Sequence, residues 1–187
     1  MRPVHPPLYS VSISAITHVH GTTGPLMKAA ASLLYLREEE LTDGIELFFF
    51  AGRDFGRALD ERLGQLGLGR AHHRALHFVA RHPGLPVSDL IGILGITKQS
   101  LSRVVRSLTS DGYVSQAQGA NDRRQRLLRL TQKGQQLETE LAALQRARFA
   151  RAYREAGPDA VAGFRQVLSG LLAEQERAGV LRLIAKR

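Results

Sequence analysis

The side chains best equipped for chemistry in this sequence are Lys98, Gln99, Ser100, Ser102, Arg103 and Arg106, crowded into KQSLSRVVR, and the later triplet Asp122-Arg123-Arg124 with Arg126 close behind. Cations and short hydrogen-bonding side chains of this kind suit base edges and phosphates in a nucleic-acid groove. A solvated helix face is the plain alternative for any charge run. No glycine-rich phosphate loop, nucleophile elbow or pair of carboxylates placed for acid–base work occurs beside them, so an enzyme reading has no residue to stand on.

The neighbouring apolar residues say what must carry these groups. Leu101, Val104, Val105 and Leu108 recur at helical spacing, which predicts a helix from about Thr97 that buries this face, presents the polar one and stops at Gly112. Val87 to Leu94 predicts a shorter helix closed by Gly95, and the two together make a helix-turn-helix. Within the shorter helix, Gly92 is expected to let the following helix approach closely. Tyr113-Val114 opens an extended run, residues 119–122 supply turn chemistry, and Arg126 to Leu130 returns as a second strand. The hairpin would carry Arg123 and Arg124 at its tip, where a minor groove or a phosphate could receive them. Helix and ribbon together form a winged helix-turn-helix, and the first turns of its second helix are the part that enters a groove.

Three motifs, Gly112-Tyr113-Val114, Asp122-Arg123-Arg124 and Leu130-Thr131-x-x-Gly134, make this segment resemble the MarR family of bacterial transcription regulators. The likeness extends more loosely from about residue 26 to the end of the chain. It implies that Arg124 reaches a minor groove, that Asp122 holds the wing tip through an ion pair, and that Arg123 touches phosphate. It also implies a cleft, lined by the helix after Gly69, between the reading domain and a set of dimerisation helices.

Composition narrows the partners. A formal net charge of +9 over 187 residues favours a polyanion, nucleic acid or acidic lipid. No apolar run approaches the roughly 20 residues needed to span a bilayer, and the N-terminus lacks a basic stretch followed by an apolar one, so a cytoplasmic protein without membrane attachment is expected. The chain has no cysteine, which removes disulfides, thiolate zinc cages and cysteine-based peroxide sensing. With aromatics at 6% and no tryptophan, binding of single strands by successive base stacking is disfavoured.

The expected organisation is a mobile arm over residues 1–24, an N-terminal dimerisation helix region over 25–66, the winged domain over 67–134, and C-terminal dimerisation helices over 135–187. The arm is rich in proline, serine, threonine and histidine, with a brief Val11-x-Ile13 alternation. In the first helix, Gly44 and Gly52 are expected as interruptions, and Phe48-Phe49-Phe50 is broader than one buried stripe requires, so two of its sides should be covered. In the last region Leu137, Leu141 and Leu144 form an inner stripe, an arginine-rich run follows, Gly157-Pro158 ends the helix, and Asp159 begins a final one. The fold class is therefore mainly α with a small β-hairpin wing. A homodimer on double-stranded DNA follows, regulating transcription from a pseudo-palindromic operator under a small aromatic or anionic effector. His73 and His77, four apart on one helical face, admit three readings: a metal pair lacking an evident third ligand, ordinary structural histidines, or part of an effector pocket against the first helix. No cofactor is implied. A protein-interaction adaptor and a metal-responsive regulator remain the alternatives.

Overall fold

The computed structural model describes residues 34–120 and 122–185, so the expected N-terminal arm and the part of the expected first helix ahead of 34 lie outside the described residues. The chain divides into two compact units, one ending at Phe48 and the other beginning at Phe49. Among its described residues the first holds a 3-10 turn, Leu34–Leu36, and the start of helix α1, Glu38–Gln65. Three glutamates occupy the first turn of α1, where the helix dipole favours negative charge. The helix runs through Gly44 and Gly52 without the expected interruption. Each glycine costs a helix only about 1 kcal/mol, and both face open space, so nothing local forces a break.

The second unit carries the remainder of α1, then α2 (Arg70–Arg81), β1 (Leu85–Pro86), α3 (Val87–Leu94), α4 (Lys98–Ser110), β2 (Val114–Gln118), β3 (Arg126–Leu130), α5 (Gln132–Leu171) and α6 (Glu174–Ala185). Its core gathers Leu63, Leu76, Leu90, Leu101, Leu128 and Leu141, one each from α1, α2, α3, α4, β3 and α5, each almost wholly removed from solvent. Leu76 and Val79 of α2 face inward as their spacing requires. Two paired arginines fix the ends of helices. Arg70 grips Asp60 through both nitrogens at 2.8 and 2.6 Å, tying α2 to α1, and Arg62 grips Glu140 of α5 at 2.6 and 3.1 Å. These bonds hold the Asp60 and Glu140 carboxyls below their usual range. Arg148 of α5 also donates to the Asp54 carbonyl of α1.

The sheet has three strands in the order β1-β3-β2, all antiparallel, where the sequence led us to expect a two-stranded hairpin. Val114 pairs with Leu130 and Gln118 with Arg126 across the wing, while Leu85 and Pro86 pair with Leu128 and Leu127 on the other side.

At the end of α4 the chain turns through Gly112, whose φ of 75° is the left-handed conformation that favours glycine. The Tyr113 N–H returns to the Leu108 carbonyl at 2.8 Å and the Gly112 N–H to Thr109 at 3.1 Å, the paired bonds of a Schellman stop. Thr131 caps α5, accepting the Gly134 N–H at 3.1 Å while its own hydroxyl donates to the Gly112 carbonyl at 2.6 Å. Gly134 then sits so close to β2 that a Cβ there would lie 2.0 Å from the Tyr113 carbonyl oxygen. The close approach expected of Gly92 is not there: Gly92 is exposed and a Cβ would meet nothing within 4 Å. Leu90 and Leu94 of the same helix are buried in the cluster that also holds Leu101, Val104 and Val105 of α4.

The C-terminal region differs from expectation in one respect. Gly157, with φ 81° and ψ 169°, and Pro158 break the helical path as anticipated, but helical residues resume at once, so that α5 is two arms joined at a kink. A second break after Leu171 then precedes α6, which the sequence reading had merged into the preceding helix.

Replacing Gly134 with alanine gains up to about 1 kcal/mol of helix propensity and forces a backbone clash. The clash wins, with an expected loss of about 1 to 3 kcal/mol. Gly163→Ala, where a Cβ meets nothing within 4 Å, should hold or raise stability. Urea unfolding checks the pair, since the midpoint should fall for Gly134→Ala alone with the slope unchanged.

Candidate nucleic-acid interface

Thr97 starts α4 from an extended conformation and accepts the Ser100 N–H at 3.1 Å, which satisfies one of the helix's orphan donors. Its hydroxyl also donates to Ser100 Oγ at 3.0 Å, so Ser100 is partly committed to the cap. Leu101, Val104, Val105 and Leu108 are buried, and this fixes the rotation of the helix. The opposite face is therefore the exposed one, and Lys98, Gln99, Ser102, Arg103 and Arg106 share a single shallow depression there. All five were named from sequence, and the fold brings them together.

The wing places the rest. Arg123 and Arg124 are exposed at its tip. Asp122 does not hold the tip by an ion pair as expected: its Oδ1 accepts the backbone N–H of Arg124 at 2.8 Å, and among the described residues it joins no salt bridge. The short aspartate side chain closes a local turn on the backbone two residues on, leaving the Arg124 guanidinium free to extend. Arg126 opens β3 just past the tip loop, opposite Gln118, and lines a groove with Lys98 and Arg106. Among the described residues, none of Lys98, Arg103, Arg106, Arg123, Arg124 and Arg126 is paired with a carboxylate. Sequence reasoning missed Thr109, Ser110 and Gln116, which line the same groove. Their signal was available only once β2 was laid beside the end of α4.

An exposed, unpaired basic face on the second helix of a helix-turn-helix, with a ribbon beside it, defines a winged helix DNA-binding protein. A model described as the MarR family matches residues 66–125. Over 141 residues the chain is 55% identical to HTH-type transcriptional regulator PetP of Rhodobacter capsulatus, covering 75% of this chain and 85% of that protein. A putative MarR family transcriptional regulator from Listeria monocytogenes, solved with a 26mer DNA, superposes with a TM-score of 0.62 at 20% identity, over 75% of this chain and 93% of that one. A mutant MarR from E. coli complexed with operator DNA gives a TM-score of 0.57 at 20% identity, over 80% of this chain and all of that one. The chain belongs to the MarR family of transcription regulators.

The histidines of α2 play three separate parts. His72 accepts the Gly69 N–H through Nδ1 at 3.1 Å and caps the helix. His73 is buried, and His77 meets Glu138 of α5 at 3.3 Å. Among the described residues no group of three metal-ligating side chains converges. A cavity of about 300 Å3 does adjoin His77, but its far wall is Leu183 and Ile184 of α6, where the first helix was expected, and His73 lies outside its lining.

Burial pushes His73 down to about 4, and the neighbouring His77 and Arg74 act in the same direction. The unfolded chain therefore binds this proton more tightly than the folded one. Stability from the neutral ring is complete above the unfolded value near 6.5 and is lost as pH falls from there toward 4. The gap is worth about 3 kcal/mol at about 1.4 kcal/mol per pH unit. His73→Gln should remove that part of the acid sensitivity, which unfolding free energies of the two proteins at pH 7 and pH 4.5 will compare.

Proposed function

We propose that this protein acts as a homodimer that regulates transcription by reading a pseudo-palindromic operator, with α4 in the major groove and the wing tip in the minor groove. The carrying observation is the exposed side of α4, where Lys98, Gln99, Ser102, Arg103 and Arg106 stand together without acid partners. Gln99 and Arg103 are the base readers, Ser100 and Ser102 add short hydrogen bonds, and Lys98, Arg106, Arg123 and Arg126 hold phosphates. Arg124 enters the minor groove from a tip that Asp122 shapes. Support comes from relatives, since the Listeria and E. coli structures that share the fold were solved on DNA.

Dimerisation rests on apolar surface that one chain leaves open. Phe49 is 64% exposed, Val167 63% and Leu171 68%, and on the first unit Ile45 and Phe48 are 70% and 62% exposed. Side chains this large are seldom left in water together on a monomer. A two-fold axis would cover them twice over and would set two reading helices about 34 Å apart, one turn of duplex. The cavity beside His77, with Phe78 and Arg81 among its walls, suits a small aromatic or anionic effector, which would act by favouring one spacing of the two heads.

Light scattering at micromolar concentration should return twice the chain mass, and a folded monomer would refute the dimer. The reading roles separate in a titration against an operator recovered by selection from random duplex. Arg103→Ala should cost about 1 to 3 kcal/mol on the selected site and little on scrambled DNA. Arg124→Ala should weaken both together.

A further inference from the structure

A groove of about 470 Å3 runs between α4 and the strands of the wing. Lys98 and Arg106 contribute to it from the helix, Arg126 from β3, and the half-buried Val87 supplies apolar surface. No carboxylate lines it, and among the described residues these three cations form no ion pair. Three like charges converging on one depression without a counterion repel one another, and an anion is the species that relieves them. One bond crosses the groove: Gln116 Nε2 of β2 donates to Thr109 Oγ1 of α4 at 3.2 Å.

That bond has a chemical consequence. The Thr109 oxygen is occupied as an acceptor, so its own O–H remains to donate outward, polarised by the amide behind it. The second Gln116 N–H is free in the same place. Two neutral donors and three cations thus face one space, which is the inventory that phosphate oxygens use.

We propose that this groove seats a backbone phosphate of duplex DNA, with Thr109 and Gln116 as its neutral donors. The proposal rests on the DNA reading above and extends it, because the strand separating a major groove filled by α4 from a minor groove entered by the wing tip is a sugar-phosphate backbone.

The test is fluorescence anisotropy of a labelled duplex of arbitrary sequence over a range of salt concentrations, because a phosphate contact is independent of sequence. Thr109→Val and Gln116→Ala should each weaken binding by about threefold to tenfold, the worth of one hydrogen bond. The slope of log K against log salt should not change, since neither substitution removes a charge. Thr109→Ser keeps the hydroxyl and should bind as wild type. Gln116→Lys adds a cation at the seat, so binding should tighten and the slope should steepen by about one for each subunit bound. A residue that merely braced the wing would not give that gain. Wild-type affinity for both Thr109→Val and Gln116→Ala, or an unchanged salt slope for Gln116→Lys in a protein with a wild-type thermal midpoint, overturns the seat and leaves the DNA reading standing. Failure of the wild type to bind duplex overturns both.

Discussion

The Tyr113 carbonyl is the point on which the second unit turns. It accepts the Thr131 N–H at 3.1 Å and lies 3.2 Å from the Thr131 hydroxyl, which donates also to Gly112, and it leaves room for no side chain at Gly134. Lys133 adds a second tie, donating to the Asp111 carbonyl at 2.7 Å with its ammonium 4.3 Å from the centre of the Tyr113 ring. The carbonyls at the end of α4 thus receive donors from the first turn of α5, where a cation also complements the helix dipole. The helix that carries the basic face, the first wing strand and the long helix leading away from both are locked at one junction. A tilt of α5 therefore moves α4 with it.

Charge is distributed so that its sign matters less than its pairing. Toward the α1, α2 and α5 contacts, Arg57, Arg62 and Arg70 each meet a carboxylate. On the exposed side of α4 and along the wing, the cations meet none. A net charge of +9 is compatible with many surfaces, but a surface on which every arginine already has an acid attracts little.

How far the sequence could be read follows from which contacts are local. Helical spacing placed α4 and its buried face correctly because the pattern of Leu101, Val104, Val105 and Leu108 is the cause of that orientation. The wing was legible from turn residues between two short apolar runs. The strand β1 was not, since two residues, one of them proline, carry no period, and only the neighbouring β3 makes them a strand. The close approach expected at Gly92 is absent, and the one found at Gly134 was not foreseen, for the same reason: what a glycine must avoid is set by a partner distant in sequence, here the Tyr113 carbonyl. The family resemblance implies an ion pair for Asp122, whereas a short side chain in a turn reaches its own backbone first. The cavity beside His77 is walled by Leu183 and Ile184 of α6, where the family resemblance led to the first helix.

The proline in β1 has a further effect, on what the sheet can join. Strand β1 lies at one margin of the order β1-β3-β2. Its Leu85 N–H is already engaged by the His82 carbonyl at 3.0 Å, and Pro86 has no N–H to offer. That margin therefore presents no spare donor, and an extended segment of another molecule finds nothing there with which to continue the ladder. A small mixed domain with one margin closed in this way can be made at high concentration with fibrous assembly blocked on that side, leaving only the β2 margin for solvent and salt to guard.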